Sequence, residues 1–89
     1  MDLHRECIEK DIIDYLDQGK KVFIENGCLN DSIIGYEIKT HKTYSWQEYE
    51  EKEYVFTTSA SVFPETIKLS DYEDYDCEVF QGNLFVSVL

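Results

Sequence analysis

An α+β fold, with one N-terminal amphipathic helix packed on an antiparallel sheet of four to five strands and ending in a C-terminal hairpin, is predicted by three observations. Apolar residues recur at helical spacing over the first 18 positions, the pattern changes to strand-like alternation after Gly19, and the later connections are mostly too short for parallel crossovers. At 89 residues the chain is expected to be a single small domain, 1–89, with no internal repeat or linker. A fold of this size buries only about 60–65% of the surface its unfolded chain exposes, so the core is thin.

The helix is predicted over about residues 3–18. Leu3, Cys7, Ile8, Ile12, Tyr15 and Leu16 fall at three- and four-residue intervals, Ile13 widens the stripe, and Glu6, Glu9, Lys10, Asp14 and Asp17 take the other side. Asp2 is placed to cap the N-terminus and Gly19 to close the C-terminus in the left-handed conformation, with Lys20 and Lys21 near the negative end of the dipole. A first strand follows at residues 21–25 and ends at the turn signal Asn26-Gly27. A second covers residues 32–40, with Ile34, Tyr36 and Ile38 on one side against Ile33, Gly35 and Glu37.

Ser45-Trp46-Gln47-Glu48 has the form of a capping box, which suggests a short helical turn near 46–51; the alternative is a continuous hairpin with Tyr44 and Trp46 on one strand face. Residues 54–58 form the clearest internal strand, Ser59-Ala60-Ser61 marks a bend before Pro64, and residues 67–69 suggest a brief further strand. Gly82-Asn83 reads as a type II′ connection, which pairs Phe80 with Phe85, Val79 with Val86, Glu78 with Ser87 and Cys77 with Val88. One face of that hairpin is apolar, through Cys77, Val79, Leu84, Val86 and Val88. The other joins Phe80, Phe85 and Leu89 to Glu78 and Ser87 and needs a cover or partner.

Charge is the feature that bears on function. Nineteen Asp and Glu against eight Lys and Arg give a net −11, and residues 44–89 hold ten of the acids and two of the cations. Five of the seven tyrosines and the single tryptophan lie in the same stretch. Asp71, Glu73, Asp74, Asp76 and Glu78 have no compensating cation among them, and Glu48, Glu50, Glu51 and Glu53 surround Lys52 alone. Such density repels itself, and a solvated, solubilising face is the plain explanation. Tyr49, Tyr54, Tyr72 and Tyr75 between the carboxylates, with Trp46 nearby, add rigid amphipathic contact area of the kind enriched in binding hot spots.

The expected site is therefore a partner-binding one, made of Trp46, Glu48, Tyr49, Glu50, Glu51, Glu53, Asp71, Tyr72, Glu73, Asp74, Tyr75, Asp76 and Glu78. In an extended segment Asp74, Asp76 and Glu78 share one side at about 6.6–6.8 Å intervals, on the order of the step between phosphates along an extended nucleic-acid strand. Ser70 and Glu73 offer the competing alternative of a capped helical turn. By composition the chain resembles the broad class of small acidic inhibitors that phages encode against nucleic-acid enzymes.

Other chemistries find less support. His4 and Cys7 are one helical turn apart but lack a second pair of metal ligands, and residues 71–76 lack the glycine and terminal glutamate of a calcium loop. No nucleophile motif or phosphate-cradling loop is present, so no catalytic residue, metal or cofactor is assigned. Direct contact with DNA or RNA has the wrong charge sign.

The expected function is a non-enzymatic acidic inhibitor or nucleic-acid mimic that occupies a basic groove of a nucleic-acid-handling protein. The alternatives are an immunity protein or antitoxin for a basic nuclease, and a small-ligand-binding or sequestering module using Tyr36, Phe80 and Phe85. Homo-oligomerisation through the Phe80/Phe85 face is a further option. Three widely spaced cysteines suggest small buried thiols in a reducing compartment, and no membrane-spanning or signal segment is seen, so a cytoplasmic location is expected, the host cytoplasm if phage-encoded.

Overall fold

The computed structural model describes residues 3–41 and 51–89. They form a helix, α1 (Leu3–Asp17), followed by strands β1 (Val22–Asn26), β2 (Leu29–His41), β3 (Glu51–Thr58), β4 (Thr66–Ile67), β5 (Tyr75–Phe80) and β6 (Asn83–Val88), with one 3₁₀ turn at Leu69–Asp71. The sheet order is β4-β3-β2-β1-β6-β5, and α1 packs against β1, β2, β5, β6 and the 3₁₀ turn on one side of it.

The α+β class and the C-terminal hairpin agree with the sequence; the strand count and strand directions do not. There are six strands rather than four to five, and β1 pairs parallel with β6, so the sheet is mixed. Short connections exclude parallel pairing only between strands adjacent in sequence, whereas β1 and β6 lie at opposite ends of the chain. Their two hairpins, β1–β2 and β5–β6, meet at this seam.

The core lies between α1 and the sheet. Ile8 and Ile12 of the helix meet Val22, Ile24, Ile33, Phe56, Leu84, Val86 and Val88, all of which are buried. The apolar helix stripe is rotated from the predicted one: Cys7 is exposed and Glu9, assigned to the solvent side, is buried. Arg5, one turn earlier, stands 3.6 Å from the Glu9 carboxylate and balances its charge. Cys28 is also exposed and Cys77 half-buried, so the expectation of buried thiols fails at two of the three positions. Gly19 closes α1 as predicted. With φ at +75° it lets its own N–H reach Leu16 O and the Lys20 N–H reach Tyr15 O, the two bonds of a Schellman motif.

In the first hairpin Asn26 belongs to β1, opposite Leu29, and the loop is Gly27-Cys28. Strand β2 carries a bulge between Ile33, paired with Thr58, and Gly35, paired with Thr57, with Ile34 as the extra residue. The extra residue shifts the alternation: Ile33, Tyr36 and Ile38 pair with Thr58, Phe56 and Tyr54, three buried residues, and so share the helix-facing side. The predicted grouping of Ile34 with Tyr36 and Ile38 is thereby broken. Strand β3 lies between β2 and β4 and starts three residues earlier than predicted; β4 ends at Ile67, and Leu69 opens the 3₁₀ turn instead of extending the strand. The turn or hairpin expected near 46–51 falls almost wholly outside the described residues, as does Asp2.

The β5–β6 loop is Gln81-Gly82, one residue earlier than predicted. Phe80 pairs with Asn83, Val79 with Leu84, Glu78 with Phe85, Cys77 with Val86 and Asp76 with Ser87. Gln81 has φ 52° and Gly82 φ 79°, the two positive values of a type I′ turn, whose twist matches that of the flanking strands. Each paired residue keeps its predicted side, because the new register moves every partner by two positions, and two is the period of side-chain direction; Val79, expected in the core, is nevertheless 59% exposed, and Leu89 lies beyond the strand.

Candidate functional site

The acidic residues singled out in the sequence, with the aromatics beside the first of them, fall into three groups. Trp46, Glu48, Tyr49 and Glu50 lie outside the described residues. Glu51 and Glu53 lie on β3, opposite His41 and Lys39, with the Lys68 ammonium 3.5 Å from Glu53. Asp71, Glu73, Asp74, Asp76 and Glu78 follow the connection from β4 to β5 and are exposed. Strands β2, β1 and β6 separate β3 from β5, so the sheet holds Glu53 roughly 19 Å from the β5 acids at about 4.8 Å per strand.

Within the third group, the segment divides between the two conformations weighed for it. Leu69–Asp71 forms the 3₁₀ turn, with Lys68 rather than Ser70 at its N-cap, and regular strand begins at Tyr75. Asp76 and Glu78 point to one side of β5, while Tyr75 and Cys77 turn to the helix side with Val86 and Val88. Asp74 precedes the strand, and its carbonyl accepts the Leu89 N–H at 2.9 Å. The tyrosines do not stand out beside the carboxylates: Tyr72 and Tyr75 are half-buried against the core and Tyr54 is buried. Burial, then the charge of Asp71, pushes the Tyr72 hydroxyl above its ordinary pKa and keeps it neutral.

The rim of β5 is tied to α1. The His4 ring stacks on Tyr75 at 5.8 Å between centroids, its Nε2 lies 3.2 Å from Tyr75 O, and it stands 3.9 Å from the Asp76 carboxylate. The same carboxylate accepts the N–H of Cys77 at 2.8 Å. Burial, then the charges of Asp11 and Asp76, push the Cys77 thiol upward, which opposes thiolate chemistry.

Comparison with protein-family models, curated proteins and solved structures finds no match.

The sheet also brings in residues that sequence reasoning missed. On β1, Glu25 accepts a hydrogen bond from the Ser87 hydroxyl at 3.0 Å, next to Asp76 in the following strand. Phe23, one pleat away, stacks on Phe85 at 5.1 Å, and Phe80 meets Phe85 edge-on at 6.4 Å. No local signal linked Phe23 and Glu25 to the C-terminal hairpin, because the β1–β6 pairing that joins them is long-range. Tyr36, grouped from sequence with Phe80 and Phe85, lies on the opposite side of the sheet, where its hydroxyl donates to Asp17 at 2.9 Å.

A depression of about 180 Å³ lies among Lys39, Glu53, Val55, Thr66, Ile67, Lys68 and Asp71. It is shallow, largely polar, and below the roughly 300–1,000 Å³ of small-molecule pockets. No helix among the described residues is long and apolar enough to cross a membrane.

Proposed function

We propose that this chain is a non-enzymatic acidic binding protein that docks on a basic surface of a nucleic-acid-handling protein and occludes it, as an inhibitor or nucleic-acid mimic. The observation that carries this function is the exposed anionic run from Asp71 to Glu78, without a cation of its own. Asp76 and Glu78 repeat on one side of β5 at the two-residue strand interval, about 6.6–6.8 Å, which suits a groove built to receive phosphates. Carboxylates in such a groove replace the counterions that phosphates would displace. They speed encounter and select cationic partners more than they add affinity.

The test is capture on the immobilised full chain from cells of its native host, repeated in low and high salt and with added DNA duplex. A nucleic-acid-binding protein should be retained at low salt and released both by salt and by duplex. Combined Asp74→Asn, Asp76→Asn and Glu78→Gln changes should weaken retention at least about tenfold. Retention indifferent to salt, to duplex and to these three changes would remove the proposal.

A further inference from the structure

Helix α1 packs on one side of the sheet; on the other, the segment from Thr66 to Asp71 borders only the β3–β4 margin, beside Lys39, Glu53 and Val55. Strand pairing assigns its residues: Phe23 and Glu25 of β1, Glu37 and Lys39 of β2, Glu53 and Val55 of β3, Phe85 of β6, and Asp76, Glu78 and Phe80 of β5. Phe23, Phe85 and Phe80 form a contiguous ring cluster over three adjacent strands, and Phe80 remains 59% exposed. Glu25 and Asp76 border the cluster on one side, and Glu78 sits beside Phe85. Of the basic groups nearby, Lys39 lies toward β3, Lys68 is engaged by Glu53, Lys21 stands at the margin before β1, and His4 of α1 reaches around the β5 rim to 3.9 Å from Asp76.

We infer that this sheet face is the docking surface for an amphipathic cationic helix of the partner protein, an inference that rests on the acidic-binding function proposed above. Three strands span two inter-strand spacings, roughly 10 Å, which matches the 10–12 Å diameter of a helix with its side chains. A helix lying there would set its apolar stripe on Phe23, Phe85 and Phe80 and its flanking Lys or Arg residues against Glu25, Asp76 and Glu78. It would complete the sheet with a second helical layer, as α1 does on the other side. A second copy of this chain fits less well, because a two-fold contact would press these carboxylates against their own equivalents.

Two synthetic peptides serve as probes: a leucine–lysine helix with all leucines on one face, and a permuted peptide of the same composition with them dispersed. Binding to the full isotope-labelled chain is followed by fluorescence anisotropy and by amide chemical shifts. The segregated peptide should bind about tenfold tighter or more, with the largest shifts at Phe23, Glu25, Glu78, Phe80 and Phe85. Phe80→Ser, at an exposed position, should abolish most of that preference while leaving the thermal midpoint near that of the parent. The shift map on the unaltered chain locates the contact even if the variant is destabilised.

Equal affinities, or shifts confined to residues 71–74 and α1, would overturn the sheet-face assignment and leave the acidic-binding function standing. Failure of both peptides to bind at low salt would overturn both. Light scattering that shows a dimer dissociated by Phe80→Ser would give this face to a second copy and likewise overturn the inference.

Discussion

Asp31 shows how one buried carboxylate fixes a loop. It is 5% exposed, and its Oδ2 accepts the N–H groups of Phe63 at 2.7 Å and Val62 at 3.1 Å, holding the β3–β4 connection over the end of the sheet. Thr58 supports the same loop: its hydroxyl donates to Pro64 O at 2.6 Å and accepts the N–H of Ala60, which has φ of 59°. Burial pushes the Asp31 carboxyl upward, but the amides of Phe63 and Val62, with Ser59 and Ser61, outweigh it and hold the pKa below its ordinary value. Because the folded pKa is the lower one, this contribution to stability is complete above the unfolded carboxylate range near pH 4. It is lost as pH falls through the depressed folded value. Thermal melts between about pH 7 and 2.5 should therefore show Asp31→Asn destabilised at neutral pH, with the gap to the parent closing on acidification. A gap that widens toward low pH would contradict this account.

At the scale of elements, the β5–β6 hairpin shows what local sequence reveals and where it stops. The strands, their apolar side and the presence of a two-residue loop were legible from Cys77, Val79, Leu84, Val86 and Val88 around a glycine. The turn type was not, because a Gly-Asn pair satisfies a II′ rule, whereas the chain places Gln81-Gly82 in I′ so that Phe80 closes on Asn83. Gln81 bears a positive φ that asparagine tolerates better. Gln81→Asn should stabilise the protein by a few tenths of a kcal/mol, about 0.3–0.5, and Gly82→Ala should cost about 1–2 kcal/mol. Urea titrations measure both, and a neutral Gly82→Ala would mean that the turn differs from the one described. In α1, Ile12 is fully buried and Ile12→Ala should cost about 2–4 kcal/mol. The helix limits were readable from periodicity and Gly19, but the burial of Glu9 was not, since it depends on Arg5 reaching forward over a turn and on a sheet that periodicity does not reveal.

For the molecule as a whole, net charge is the dominant electrostatic quantity. Local ion pairs join Lys10 to Glu6, Arg5 to Glu9 and Lys68 to Glu53, yet the chain remains at −11. Self-repulsion should therefore exceed pair attraction, and raising salt from about 0.01 M to about 0.5 M should lift the thermal midpoint by several degrees. A midpoint that falls would give the greater weight to the pairs. The net negative charge, and its concentration in residues 44–89 where only two cations lie, were plain from the sequence. Which carboxylates face together was not, because it follows from the strand order β4-β3-β2-β1-β6-β5, which separates Glu53 from Asp76 and brings Glu25 beside Ser87.

The parallel seam between β1 and β6 has a kinetic consequence. Because it joins the first strand to the last, its contacts carry high contact order, and its closure belongs to the slow part of folding. Until then each hairpin exposes an inner edge that another molecule's hairpin can match, the route to domain-swapped and aggregated species. Mutual repulsion between strongly anionic nascent chains keeps those edges apart, so the same net charge that strains the folded sheet also shelters its maturation.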